Sequence, residues 1–566
     1  FAAGFTSSTF LGIGQVGAAQ ASHWKTGYVQ GRLTHKKLFV QAYLNQTGAG
    51  DTYLLRTGDR IIEKSKLLVG QIQHGFALGE KQQFTYGVDA AFTRPNTGAT
   101  VNGRNEDNDN TSETGVYLQS ETQLPAKLTF VGALRFDYHD RTKDRFLSPR
   151  AALVYKADPV HILRATYNRA FSSPVNPTLF ADILAASVPA PAALTPIIGP
   201  TLFDLRVRGT TPPSFNFSFS ADGRAQMVSL YGNLLAQVGA ISSPNSYLAP
   251  DVNSVWPALR VLALALAPPD QQARLNAVLP AQLSTKVAGA FAIFNPGTFI
   301  FDPVDPASVE NIPVIKPNVT STLEFGYKGV IAQKLLVTLD LYHTRIKDFN
   351  GPLTVQNPNV FINPATFIPA LVKDMVAAGM RQDSAAAIAS NLAASLGALP
   401  IGAISPKEVQ SPTDLIFTYR NFGNISVNGV DLGIQYYLSP KWIFGGSYSY
   451  VSKDIFPKTV DQPHDIALNA PRHKFSLRAE YRHPARRFNA QLRFRFVDGF
   501  PWNSSVYVGA IPTYRVLDLK LGYDLPFSAQ TRLTLSVDNA LNEKHQEMAG
   551  MPKIGRLTVL RLSQFF

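Results

Sequence analysis

Lys474-Phe475-Ser476-Leu477-Arg478-Ala479-Glu480-Tyr481 is a strict two-residue alternation: Phe475, Leu477, Ala479 and Tyr481 share one parity, and Lys474, Ser476, Arg478 and Glu480 share the other. Successive side chains of a strand point to opposite faces, so this segment has one oily face and one charged, wet face. The pattern returns after His483-Pro484, where Ala490, Leu492, Phe494 and Phe496 interleave with Gln491, Arg493 and Arg495. It returns again where Leu517, Leu519, Leu521 and Tyr523 alternate with Asp518, Lys520 and Gly522. A soluble sheet alternates too, but about twenty such segments, many ~9–12 residues long, suit strands that cross a bilayer at a tilt.

The rest of the composition narrows the choice. No apolar run reaches the roughly 20 residues of a spanning helix. The longest, Ala258 to Ala267, contains Arg260. A membrane-spanning chain without such helices must be a barrel, because only helices and closed barrels satisfy their backbone polar groups in lipid. The 36 Phe and 21 Tyr suit strands and interfacial girdles, and Trp24, Trp442 and Trp502 read as interfacial anchors. The absence of cysteine excludes a disulfide scaffold, a thiol nucleophile and a Cys-ligated metal. The formal charge of +13 raises nucleic acid as a partner, but the Lys and Arg residues alternate along strands instead of clustering, so no nucleic-acid binding is expected.

Short turns alternate with long loops. Lys66 to Leu78 and Gln82 to Thr93 flank Gly79-Glu80-Lys81; the next pairs turn at Leu124-Pro125-Ala126-Lys127 and Ala157-Asp158-Pro159. The opposite ends carry the polar loop from Pro95 to Glu113 and two large insertions, 172–317 and 350–413. Short turns at one end and long loops at the other are what an outer-membrane barrel requires. Both insertions are rich in Ala, Pro and Leu, with helical stretches expected at Gln271 to Val287 and Pro369 to Leu396, and they are expected to cap the mouth. The expected organisation is one barrel domain over 1–566 with these two extracellular insertions.

Four stretches resemble the barrel portion of a TonB-dependent outer-membrane receptor. They are Tyr167-Asn168-Arg169-Ala170-Phe171-Ser172-Ser173-Pro174 with Leu179-Phe180; Leu323-Glu324-Phe325-Gly326-Tyr327-Lys328-Gly329 with Ile346-Lys347-Asp348-Phe349; Asn421-Phe422-Gly423-Asn424 with Gly429-Val430-Asp431-Leu432-Gly433; and Asn469-Ala470-Pro471-Arg472-His473-Lys474 with Val537-Asp538-Asn539-Ala540-Leu541-Asn542, leading to the terminal Phe566. The resemblance implies an all-β transmembrane antiparallel barrel, with about 20 of an expected 22 strands visible. It also implies import of a scarce nutrient such as a ferric siderophore, an outer-membrane location, a monomer, and TonB as energy-transducing partner. The family's plug domain and TonB-contacting segment are not recognised in this sequence, which begins at Phe1, so the chain is expected to be the barrel part of a longer protein.

The candidate site is the polar parity: Lys474, Arg478, Gln491, Arg493, Arg495 and Lys520, lining the lumen. These groups would attract an anionic chelate through charge-assisted bonds, or else hold a plug and pair across strands with Glu480 and Asp518. Glu106, Asp107, Asp109 and Glu113 are a weak calcium candidate, lacking the glycine of a calcium loop; a solvated acidic loop is the alternative. Gly12-Ile13-Gly14-Gln15-Val16-Gly17 fits a dinucleotide-binding string, but without the strand-to-helix setting and acidic partner that give it meaning. His343 and Asp340 lie on opposite faces of a strand, and no nucleophile elbow or HExxH string occurs, so neither an enzyme nor a bound cofactor is expected. A passive porin and a surface all-β binding protein or adhesin are the competing readings.

Overall fold

The computed structural model describes residues 1–14, 17–189, 202–295, 300–457, 465–504, 507–526 and 531–564. Phe566 and the Gln15-Val16 part of the glycine string lie outside them. Twenty strands form one large sheet. Two of them, Asp51–Leu54 and Arg60–Ile61, are short; the others run 8 to 19 residues, and every pairing along the sheet is antiparallel. The short pair hangs from the end of Gly17–His35, and each of the long strands pairs with the next long strand of the sheet in chain order, the pattern expected of hairpins joined end to end. Lys66–Leu78 and Gln82–Arg94 match the sequence reading almost residue for residue. Gly12 and Gly14 end one strand and Gly17 begins its hairpin partner, so the glycine string is strand-to-strand, with no helix after it. Among the described residues the first strand, Ala2–Gly14, pairs with the second alone, and the last, Leu557–Gln564, pairs with Thr531–Asp538 alone.

The two parities separate as the alternation requires. Leu477 and Leu492 are exposed, as are Val88, Val116, Leu118, Leu134, Phe325 and Leu341 on other strands. A soluble sheet would bury this face; here it is a continuous apolar exterior of the kind lipid covers. Trp442 stacks on Phe444 with centroids 5.9 Å apart and leans on Tyr481 at 4.8 Å, an aromatic group beside the short turn 438–441. Trp502 is placed differently. It packs with Phe500, Ile511, Tyr514 and Val516 in a hairpin of the long-loop end, so it is a loop-core residue and not a lipid-facing anchor. No helix among the described residues is long and apolar enough to span a membrane.

The insertions fold together. One leaves the wall after Ser172 and returns at Asn318; the other leaves after Lys347 and returns at Ile425, so both rise from four consecutive wall strands. Strands of both enter a four-stranded sheet, where Leu202–Arg208 of the first runs parallel to Asp414–Thr418 of the second. Strands of both also enter a six-stranded sheet, where Gly289–Asn295 pairs with Asn359–Ile362. The helices Val252–Leu266, Pro269–Val278, Pro364–Ala377 and Gln382–Leu396 pack beside them around one apolar core that includes Trp256, Leu259, Phe367, Leu371 and Met375. The helical expectation at Pro369 to Leu396 resolves into two helices, broken at Gly379, whose φ of 92° suits glycine. The run around Ala258 is too short to span a membrane because it is the central helix of this cap, apolar on most sides and correspondingly buried.

Asn421 ties the roots of both insertions. Its side-chain oxygen accepts from the Lys316 amide at 2.8 Å, and its amide nitrogen donates to the Asp348 carbonyl at 2.8 Å. Phe422 and Phe349 complete the root through reciprocal backbone bonds between 349 and 422–423.

Candidate functional site

The inward parity of the wall carries charged side chains, among which three groups stand out. In the first, a long side chain lies flat over a glycine of the adjacent strand and bonds a residue one strand further on. Arg135 reaches across Gly115 to Asp89, at 2.7 and 2.8 Å, while holding Asp137 at 2.6 Å. A Cβ at position 115 would sit 2.1 Å from the Arg135 guanidinium. Arg164 crosses Gly326 to Asp340 at 2.8 Å and also meets Glu324 at 2.5 Å; a Cβ at 326 would lie 2.4 Å from the Arg164 Nε. Tyr117 crosses Gly87 to Gln73 at 2.8 Å. Sequence reading missed these straps, although the glycines on the polar parity of otherwise well-patterned strands were the available signal.

The second group is the Arg495–Asp518 pair, with Nε 2.9 Å from the carboxylate. Arg495 is therefore paired across strands. Glu480 pairs with Arg482 of its own strand at 2.5 Å and so leaves its neighbours uncompensated.

The third group consists of Lys474, Arg478, Arg493 and Lys520, none of which has an ion-pair partner among the described residues. Arg478 and Arg493 stand opposite each other in register on adjacent strands, with Gln491 two positions along and Lys520 opposite Gln491. The Arg478 Nε is buried and has no hydrogen-bond acceptor. Two facing guanidiniums, one with an orphan donor, make a strip of wall that attracts anions.

The acidic loop behaves as a structural clamp. The Glu106 carboxylate accepts from the Thr97 amide at 2.7 Å and from the Gly98 amide at 3.1 Å, with the Thr97 hydroxyl on its other oxygen. Burial pushes the Glu106 carboxyl up, but these bonds outweigh it and hold the group below its usual range. Asp109 accepts from the Asn102 amide at 2.6 Å, and burial pushes its carboxyl up. Asp107 and Glu113 do not join them: among the described residues no group of three His, Asp or Glu side chains is arranged to hold a metal ion. The clamp instead presents Asn102, Arg104 and Asn105 to the cap, where Asn105 donates to the Phe180 carbonyl at 2.8 Å and Asn102 to Asn176 at 3.1 Å. Arg104 lies 3.9 Å from Asp182. Asp182 and Asp414 flank the buried Arg208 at 3.7 and 3.5 Å, so charges from the loop and both insertions meet there. Burial pushes the Arg208 guanidinium down from its ordinary value, and the two carboxylates oppose that shift.

A cleft of about 200 Å³ opens between the cap and the 140–144 loop, lined by Arg141, Lys143, Leu179, Phe180 and Pro212. The Arg141 guanidinium lies over the Phe180 ring, 5.5 Å from its centroid, and its Nε donates to the Asn110 carbonyl at 2.6 Å.

The comparisons with known proteins agree with this architecture. No curated protein matches the sequence. Solved structures that resemble it include a variant of the ferric enterobactin receptor of Pseudomonas aeruginosa, with a TM-score of 0.52, 11% identity, and coverage of 97% of this chain and 62% of that one. They also include the siderophore receptor PirA of Acinetobacter baumannii, with a TM-score of 0.50 and 10% identity over 97% of this chain and 63% of that one. The FrpB iron transporter of Neisseria meningitidis matches with a TM-score of 0.50 and 11% identity over 96% and 62%. The chain thus spans a little under two thirds of the length of these structures, and at such identities the likeness is one of fold. The family defined by the TonB-dependent receptor-like β-barrel matches residues 15–540, so this chain belongs to that family of Gram-negative outer-membrane barrels.

Proposed function

We propose that this chain is the barrel portion of an energised outer-membrane receptor that imports a scarce, anionic metal chelate of the ferric siderophore type. The observation that carries the reading is the strip of Lys474, Arg478, Arg493 and Lys520 on the inward parity, where Asp518, which faces Arg493 in register, is taken by Arg495, while Arg135 and Arg164 elsewhere on the wall are neutralised in place. The cap built from 172–317 and 350–413 would supply the capture surface, and the strip a path that favours negative charge. Barrels resembling this one include receptors and transporters of iron and siderophores, which supports the substrate class. Energy would come from TonB acting on a plug domain carried by the longer protein. A monomer without a resident cofactor suffices for this role.

The test is uptake of a labelled ferric catecholate by cells that express the full-length receptor. Uptake should stop when the proton gradient is collapsed. Substituting Arg478→Gln and Arg493→Gln together should lower it about tenfold at unchanged receptor abundance, as loss of two charge-assisted contacts predicts. Uptake that survives gradient collapse would identify a passive pore instead, and a double variant with wild-type uptake would remove the strip from the path.

A further inference from the structure

We propose that the outer wall carries a specific site for an anionic phospholipid, at the short-turn end of the strands Arg145–Asp158, His161–Ser172, Asn318–Ile331 and Leu335–Lys347. Their lipid-facing side chains stand in two cross-strand rows. Leu153, Ala165, Phe325 and Leu341 form one; Tyr155, Leu163, Tyr327 and Leu339 form the other, nearer the turns. Ala165 is the small member of its row. It leaves a recess of about 410 Å³ between the larger side chains of the two rows. The walls of the recess are branched and aromatic, the lining that an acyl chain fills.

The recess has a polar end. The Tyr327 hydroxyl lies 2.9 Å from the His161 Nδ1, over Gly329, where a Cβ would sit 2.2 Å from that hydroxyl. His161 is the first residue of its strand, so this pair marks the level where hydrocarbon gives way to water. The flanking turns are basic. Lys127 donates to the Ala157 carbonyl at 2.6 Å, beside the turn that leads into His161. Lys334 is exposed in the next turn, whose strand is joined to the first by a Val330-to-Val160 backbone bond of 3.1 Å. Asp158, in the turn that leads into His161, is engaged by the Val160 and His161 amides at 2.9 and 2.8 Å. Along this rim Lys36, Lys37, Lys81, Lys441, Arg486 and Arg487 occupy further short turns, against Glu80. An apolar recess that ends in a phenol–imidazole pair and two lysines fits one occupant: a phospholipid of the turn-side leaflet, its acyl chain in the recess and its phosphate at the lysines.

Native mass spectrometry of the full-length protein in detergent, with dioleoyl-phosphatidylglycerol or dioleoyl-phosphatidylcholine added, tests this. The wild type should retain one phosphatidylglycerol about tenfold more than phosphatidylcholine. Lys127→Gln with Lys334→Gln should erase that preference, and Ala165→Phe should lower retention of both lipids. Leu118→Phe, on a distant part of the same outer face, should change neither. Tyr327→Phe removes a single hydroxyl and should weaken the preference, which keeps the test informative if Ala165→Phe fails to give a heat-modifiable barrel. Equal retention of the two lipids by the wild type would overturn the site, as would full retention in a folded Ala165→Phe protein.

Discussion

Arg135 holds Asp89 from two strands away, with two guanidinium nitrogens 2.7 and 2.8 Å from the two carboxylate oxygens and Gly115 lying between them. The bond is geometrically possible because the intervening strand has no side chain there. Gly115→Val would drive the guanidinium off the wall and leave Asp89 and Asp137 facing each other. The expected cost is about 1–3 kcal/mol, as for other overpacked positions. It is read as a lower midpoint for urea unfolding in micelles. Gly326→Val should act alike through Arg164 and Asp340. A double-mutant cycle between Arg164→Met and Asp340→Ala should give a coupling of about 0.2–1 kcal/mol, because both side chains keep partial contact with water.

Leu492 and Gln491 are neighbours on one strand and belong to different solvents. Leu492→Arg should destabilise the folded state by roughly 2–4 kcal/mol if its level is near the bilayer midplane, whereas Gln491→Arg should be far milder. Equilibrium unfolding from liposomes measures both, and comparable tolerance would contradict the assignment of the two faces.

The cap core should respond separately from the wall. Leu371 is fully buried in the shared core, so Leu371→Ala should loosen the cap by about 2–5 kcal/mol. Limited proteolysis should then cut within 252–396 while the heat-shifted mobility of the barrel persists. Asn421→Ala removes the tie between the two roots and should expose both to cleavage, at a cost of about 0.5–1.5 kcal/mol for each hydrogen bond lost at this half-exposed position.

The loop clamp gives a signed dependence on pH. The Glu106 carboxyl is held below its usual 4.5, so its contribution is present above that value and is lost as pH falls through the lowered one. Asp109 is shifted upward from 3.8 and contributes with the opposite sign. Hydrogen exchange at the Thr97 and Gly98 amides, corrected for intrinsic rate, should stay slow from neutral pH down to about 4.5 and quicken below it. In Glu106→Gln that acid-dependent step should vanish.

The wall was legible because its physics is local. A period of two, read from Phe475 to Tyr481 or from Leu517 to Tyr523, already says which side chains meet lipid. Asn421, Asn539 and Asn542 lie in the stretches that carry the family resemblance, and each side chain bonds backbone: Asn421 at the Lys316 amide, Asn539 at the Glu543 carbonyl and Asn542 at the Arg556 amide. The sheets of the cap were not legible, because their strands are two to eight residues long and some partners, such as Asp204 and Asp414, lie far apart in the chain. Nothing local in Leu202–Arg208 points to Asp414–Thr418. The six lumen candidates could likewise be placed on one face but not sorted. Whether an arginine is neutralised depends on diagonal reach, as Arg495 has to Asp518 and Arg493 lacks to Glu480.

Because the four- and six-stranded sheets of the cap each take strands from both insertions, neither insertion can change shape by itself. A barrel whose loops stand apart can exchange one of them for a relative's and keep folding. Here a transplanted 172–317 would arrive with half-completed sheets, so shifts in ligand preference along a lineage should come as matched replacements on both sides of the Asn318–Lys347 hairpin.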